Sequence, residues 1–205
     1  MIDLYTWKTP NGRKISIALE EMGLQFRVHP IDLSKDEQFA PSFLRISPNN
    51  KIPGIVDNEG PDGRPISMFE SGAILVYLAG KTGKLLPKTV HGKYEALQWL
   101  MFQMGGIGPM FGQLHHFLRA APEQVPYAIK RFSEERDRLY GVIDKRLAEA
   151  EFLADEYSIA DIATYPWVAR HEWHQTDLND FPNVKRWFDL ISSRPAVTRG
   201  MQIPA

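Results

Sequence analysis

The first thirty residues carry a helical period between two stretches of alternating period, and that order narrows the accessible folds more than any other feature. Ile2 and Leu4 alternate with Asp3 and Tyr5, as in a half-buried strand. Ile15, Ala18, Leu19 and Met22 follow at i, i+3, i+4, i+7, one face of a helix. Glu20 and Glu21 take the other face, and Gly23 supplies a stop. Phe26 and Val28 then alternate with Gln25, Arg27 and His29. Two strands joined through a helix pair in parallel, a βαβ unit. At the strand-to-helix corner stands Thr9-Pro10-Asn11-Gly12-Arg13-Lys14. Pro and Asn-Gly mark a turn, and Asn11 is a candidate cap for the helix. A hydroxyl, an amide and a helix N-terminus converge there, and the unbonded N–H groups of a helix start attract anions.

Further along, the same alternation continues to about residue 80. A helix is expected over 36–46, ending before Ser47-Pro48. Ile52-Pro53-Gly54 precedes a short apolar strand, Ile55-Val56-Asp57. The Gly-, Pro- and Asp-containing stretch Asn58 to Arg64 reads as a hairpin turn, with Pro65 to Met68 as the returning strand. Glu70-Ser71-Gly72 opens a helix with Ile74, Leu75 and Leu78 on its apolar face. The first half therefore reads βαβ, helix, ββα. The polar connection Lys81 to Lys88 is the expected boundary, separating a domain over 1–82 from one over 88–205.

Beyond that boundary the periods are all helical. A long apolar helix from Tyr94 to about Leu118 is interrupted by Gly105-Gly106-Ile107-Gly108-Pro109, and Pro109 is expected to bend it. Pro122 to Ala150 is amphipathic, with Leu139, Val142, Ile143 and Leu147 inside. Ser158-Ile159-Ala160-Asp161 has the spacing of a capping box, with Asp in the place of the usual Glu. Val184, Trp187, Phe188 and Ile191 repeat the helical spacing once more. The fold class is α/β plus all-α.

Composition excludes more than it assigns. With 24 basic and 25 acidic residues in 205, the net charge of −1 recommends neither nucleic acid nor an anionic membrane as partner. The longest apolar run, around Ala73 to Ala79, is too short to span a bilayer. Met1-Ile2-Asp3 does not begin a signal peptide, so a cytoplasmic location is expected. Cysteine is absent, which removes disulfides, thiolate metal sites and a nucleophilic cysteine. It does not remove thiol chemistry on a bound molecule, and the anion expected at the Thr9–Lys14 corner is such a thiolate.

Other motifs carry two readings each. Pro53, having no N–H for a ladder, suits a strand start or edge; alternatively a cis bond leaves the Ile52 backbone groups to pair with a peptide-like ligand. Ser71 is either a plain N-cap or part of a seat for a carboxylate, with Glu70 facing an ammonium. Gly105 to Pro109 lacks the Lys-Ser/Thr ending of a phosphate loop and reads as a helix kink. His115-His116, His171 and His174 lack metal-site spacing and read as surface or pocket histidines. Trp99, Phe102, Trp167, Trp173, Trp187 and Phe188 read as core.

Taken together, Thr9 to Lys14, Ser47-Pro48-Asn49-Asn50-Lys51-Ile52-Pro53, Phe69-Glu70-Ser71-Gly72-Ala73-Ile74 and Tyr157 to Asp161 resemble the glutathione transferase family across the whole chain. The first, second and last, with Gly105 to Met110 and Gln113, resemble its bacterial Nu class, associated with glutathione-dependent disulfide-bond reductase activity and weak conjugating activity. The resemblance implies a thioredoxin-like domain followed by a helical domain, assembled as a homodimer. It assigns Thr9 and Asn11 to the sulfur of glutathione, with Gln38, Lys51 and the Ile52 backbone on its other parts and Pro53 cis. Glu70 and Ser71 go to the γ-glutamyl group, and Arg131 to the arginine that reaches the ligand. The co-substrate implied is glutathione, reduced or as disulfide, without a metal; the second substrate is a small disulfide or an electrophile. The implied reductase has weak transferase and peroxidase side activity; the alternatives are a transferase that conjugates electrophiles and a non-catalytic transferase-like binding module. Trp7-Lys8 and Ala154 depart from the family pattern, the latter standing where many members have glycine.

Overall fold

β1 (Ile2–Thr6) is the strand around which the first unit is built. Its residues are alternately buried and half-exposed, as the alternating sequence requires. The computed structural model describes residues 1–204. β2 (Phe26–Pro30) lies parallel to β1, joined to it through α1 (Pro10–Met22), so the βαβ reading holds. β3 (Gly54–Asp57) runs antiparallel on the other side of β1, and β4 (Ile66–Phe69) antiparallel to β3. The strand order is β2-β1-β3-β4. The hairpin expected around residues 58–64 is the β3–β4 connection, with Ile55 opposite Met68.

The helix expected over 36–46 is mostly not there. Two 3₁₀ turns, Leu33–Lys35 and Glu37–Phe39, precede the four-residue α2 (Pro41–Leu44). The reason is local. Pro41 clashes with a helical Ala40, which is extended at φ −60° and ψ 135°, and Asp36 is left-handed at φ 58°.

After β4 comes α3 (Ser71–Thr82), ending at left-handed Gly83. Ile15, Ile17, Ala18 and Leu19 of α1 and Ile74, Leu75 and Leu78 of α3 are buried with Leu4 and Ile55 of the sheet. This unit takes in residues 1–85 and also the chain from Ser193 onward. The sequence expectation put those last residues with the helical domain. Instead α9 (Pro195–Met201) packs on α1. Its close approach depends on Gly200, where a Cβ would lie 2.6 Å from the Ile17 Cα. Ser16 Oγ donates to the Gly200 carbonyl at 2.7 Å, and Arg194 pairs with Glu21 at 2.6 Å.

The second unit, Leu86–Ser192, is helical throughout. α4 (Val90–Phe102) and α5 (Gly108–Arg119) are joined by a π turn, Gln103–Ile107. Pro109 sits in the first turn of α5, where its missing N–H costs little. α6 (Pro126–Glu149) buries Leu139, Tyr140, Ile143 and Leu147. All ten residues of α7 (Ile159–Val168) are buried, and α8 (Pro182–Ser192) adds Val184, Trp187 and Ile191.

The capping box forms as the sequence predicts. The Ser158 hydroxyl accepts from the Ala160 N–H at 3.2 Å, and Asp161 accepts from the Ser158 N–H at 3.0 Å. Asp161 also receives the Leu153 N–H and the Trp187 indole N–H, at 3.0 and 2.9 Å. Burial pushes its carboxyl up to about 6, against the pull of those donors. The left-handed residue of the preceding turn is Asp155, at φ 61°, not Ala154. Trp187 and Trp167 are core as expected. Trp173 is not: it is 40% exposed, stacked on His115, with Arg170 and Arg119 guanidinium carbons 4.3 and 4.8 Å from its ring centre.

Candidate functional site

The sheet register brings three of the sequence motifs to one place. Gly54 pairs with Tyr5 on one side and with Phe69 on the other. The C-terminal ends of β1 and β4 and the N-terminal end of β3 therefore lie at the same end of the sheet. The chain leaving β1 runs to Thr9, the chain entering β3 is Ile52-Pro53, and the chain leaving β4 is Glu70-Ser71. β2 ends there too, since Pro30 pairs with Thr6, and its continuation carries Gln38. Loops at the C-terminal ends of parallel strands are where α/β sheets place ligands.

Thr9 is the N-cap of α1. Its backbone is extended (φ −121°, ψ 159°), and its Oγ1 accepts the Gly12 N–H at 3.2 Å. Asn11 is not the cap; it lies inside the first turn, with its side chain half-buried. The cap is decided by backbone conformation, and Pro10, at the first helical position, leaves the extended residue before it as the cap. Thr9 Oγ1 accepts in this contact, which leaves its own O–H as the group with which it can donate. The first turn sits tight on the end of β1: a Cβ on Gly12 would lie 2.4 Å from Thr6 Oγ1 and 2.5 Å from the Trp7 carbonyl.

The Ile52–Pro53 peptide bond is cis, and both residues are buried. Ile52 precedes the β1–β3 ladder, which begins at Gly54. Lys51 is exposed, and its carbonyl accepts from Ser47 Oγ at 2.7 Å. Gln38 lies in the second 3₁₀ turn, its amide donating to Asp36 at 3.3 Å while its buried Oε1 has no hydrogen-bond partner.

Glu70, not Ser71, is the N-cap of α3, and it holds φ 69° and ψ 107°. The left-handed side of conformational space strains a residue with a Cβ. Ser71 is thus the first helical residue, released from the capping role that its position suggested. It is 4% exposed, and its Oγ accepts from Lys14 Nζ at 3.3 Å. Lys14 is 1% exposed on α1. Burial pushes its ammonium down to about 7, while the Glu70 carboxylate works the other way. The sequence reading included Lys14 only as part of a motif. Its signal was a lysine one residue before Ile15, at the edge of the apolar face.

Arg131 lies on α6 of the helical unit and is exposed. Among the described residues, no group of three or more His, Asp or Glu side chains is placed to hold a metal ion. His174 is fully buried against Phe111, Trp167 and His115, and burial pushes its imidazole down to about 3, leaving it neutral. Among those residues no helix is long and apolar enough to cross a membrane.

A thioredoxin-like sheet with a site at the strand ends, followed by an all-helical unit, defines a class of glutathione-binding proteins. The chain belongs to the glutathione S-transferase family: the N-terminal domain model of that family matches residues 1–80 and the C-terminal domain model residues 95–195. It is 53% identical to the disulfide-bond oxidoreductase YfcG of Escherichia coli, over 98% of this chain and 94% of that one. Identity to the disulfide-bond oxidoreductase YghU of the same organism is 38%, over 97% and 73%. A Pseudomonas putida glutathione transferase with one glutathione disulfide bound per subunit matches at a TM-score of 0.96 and 45% identity, covering 100% of this chain and 92% of that one. A Burkholderia graminis glutathione transferase with two glutathione molecules per subunit matches at 0.94 and 49%, covering 99% and 88%.

Proposed function

We infer that this protein is a glutathione-dependent disulfide reductase, with transferase and peroxidase reactions as side activities of the same activated sulfur. The observation that carries the reading is that two relatives of nearly the same structure hold the tripeptide in its two redox states. The chain itself has no cysteine, so the reacting sulfur belongs to the ligand.

A free thiol with a pKa of about 8.5 is only ~3% ionised at pH 7. Lowering it by ~2 units, to make thiolate the main form, takes ~2.7 kcal/mol of preferential stabilisation. A hydrogen bond to a charged group contributes ~1.5–3 kcal/mol and a helix N-terminus ~0.3–1. The Thr9 hydroxyl, the Asn11 amide and the start of α1 are of the right size together. The bound thiolate attacks one sulfur of a small disulfide. The new S–S bond forms as the old one breaks, and the leaving thiolate takes a proton from solvent. A second glutathione thiolate attacks the mixed disulfide, releasing the other thiol and glutathione disulfide. Two glutathiones are oxidised for each disulfide reduced.

In this reading the Ile52 backbone, with Pro53 cis, and Gln38 and Lys51 hold the cysteinyl and glycyl parts. Glu70 and Ser71 hold the γ-glutamyl group. Arg131 is assigned to ligand binding on the family resemblance, and Arg131→Ala is expected to raise the KM for glutathione and leave kcat unchanged. A reaction that consumes reduced glutathione fits a cytoplasmic location, where thiols are kept reduced. A homodimer is the expected assembly. It is supported by Val90, Tyr94 and Met101, exposed on one face of α4 at 74, 65 and 55%; light scattering at micromolar protein tests it.

Thr9→Ala tests the central assignment. It is expected to lower kcat/KM for disulfide reduction about 10–100-fold and move the pH–rate profile upward. Thr9→Ser is expected to keep both. An alanine variant with the full rate and an unchanged profile refutes the role.

A further inference from the structure

The helical unit carries an aromatic residue that its core does not absorb. Trp173 lies in the 3₁₀ turn His171–His174 and is 40% exposed. His115 of α5 stacks on it, with ring centres 5.1 Å apart and planes 25° from parallel. Arg170, at the start of that turn, and Arg119, the last residue of α5, bring their guanidinium carbons to 4.3 and 4.8 Å from the Trp173 ring centre. One indole thus gathers two guanidinium groups and an imidazole.

One arginine is enough to cover the face of a half-exposed tryptophan. A second sets like charge beside like charge, which is unfavourable unless a negative group comes near. Burial first, and then the fields of Arg170, Arg119 and His116, hold the His115 imidazole below its ordinary value, and every charged group in that set is basic. The one carboxylate of the turn, Glu172, is exposed and is not among the groups acting on His115. Arg119 makes no side-chain hydrogen bond or ion pair among the described residues. A guanidinium laid on an aromatic face keeps its N–H edge directed outward, in the fork geometry that matches two oxygens of one anion. Two guanidinium charges together match a doubly charged anion better than a single carboxylate.

We propose that Trp173, His115, Arg119 and Arg170 form a binding site in the helical unit for a doubly charged tetrahedral oxyanion, a phosphate group either free or carried on a small molecule. Trp173 and His115 are the platform that fixes the cations. Arg119 donates to the phosphate oxygens, and Arg170 adds its charge. The site is independent of the glutathione assignment at the sheet end.

The indole N–H signals of the nitrogen-15-labelled protein test this. The protein has five tryptophans, so the spectrum holds five such signals, and that of Trp173 is assigned by its through-bond connections. Fully buried Trp187 serves as the internal reference. Sodium phosphate, methyl phosphate and sodium chloride are added in separate titrations at constant ionic strength and about pH 7.5, where phosphate is mostly dianionic. The wild-type Trp173 signal is expected to move saturably with either phosphate, in the millimolar range or tighter, while chloride leaves it in place. Arg119→Gln is expected to weaken binding about tenfold, and Arg119→Lys, which keeps the charge without the fork, by less. Tighter binding of the inorganic ion assigns the site to free phosphate, and tighter binding of methyl phosphate assigns it to a phosphate ester; either supports the site. A Trp173 signal that moves no more with phosphate than with chloride overturns it, as does equal affinity in Arg119→Gln and wild type.

Discussion

Glu70 holds a strained backbone at the candidate site. Its φ of 69° and ψ of 107° put a Cβ where only glycine is comfortable. Glu70→Gly is expected to raise the unfolding free energy by about 1 kcal/mol in urea titrations while raising the KM for glutathione several-fold. A variant that is neither more stable nor weaker in binding would show that the strain serves no site. Lys14 gives the protein a dependence on pH that can be measured. Its folded value of about 7 lies below the ordinary 10.5. Between those values the unfolded chain holds a proton that the folded chain has released, so stability rises with pH through that range. Urea midpoints at pH 7 and pH 9 are expected to differ in that direction for the wild type and by less for Lys14→Met.

Among the elements, α7 and α9 depend on single residues. Asp161 gathers the backbone N–H of Leu153 and Ser158 and the indole N–H of Trp187 in a fully buried setting. Asp161→Ala leaves those donors unpaired, and a loss of about 3–5 kcal/mol is expected in chemical denaturation. α9 needs Gly200 for a different reason. A Cβ there meets the Ile17 backbone, at 2.6 Å from Cα and 2.7 Å from N, which no rotamer change relieves. Gly200→Ala is expected to cost about 1–3 kcal/mol by the same measurement. The two positions differ in how readily the sequence shows them. The Ser158–Asp161 spacing announces a capping box within four residues. Nothing near Gly200 points to Ile17, more than 180 residues earlier, because that contact exists only once α9 has returned to α1.

For the molecule as a whole, the absence of cysteine makes a sharp demand. If the reacting sulfur is the ligand's, protein treated with iodoacetamide and freed of reagent is expected to reduce a small disulfide at its full rate. Loss of rate would direct attention to a protein nucleophile. The placement of the site also belongs to this scale. Thr9, Ile52 and Ser71 lie far apart in the chain and meet because Gly54 pairs with both Tyr5 and Phe69. The alternation of residues 2–5, 55–57 and 66–68 makes the strands legible, and the intervening helix makes the parallel pair legible. The antiparallel join of β1 to β3 is a long-range pairing with no local signal.

What the sequence determined by itself is therefore whatever a few neighbouring residues decide. It shows the period of each strand and helix, the capping box at Ser158, the hairpin, and that the chain has no cysteine of its own to react. Where several local rules compete, only the tertiary structure decides. Thr9 caps α1 although Asn11 is equally capable, because Pro10 takes the first helical position. Ser71 enters α3 instead of capping it, because Glu70 accepts a strained backbone. Pro41 turns an expected helix into short turns. Lys14 is the clearest case. Its position on α1 follows from the sequence, but its burial against Ser71 depends on packing α1 beside α3, and that packing makes an ordinary lysine into one that titrates near neutrality.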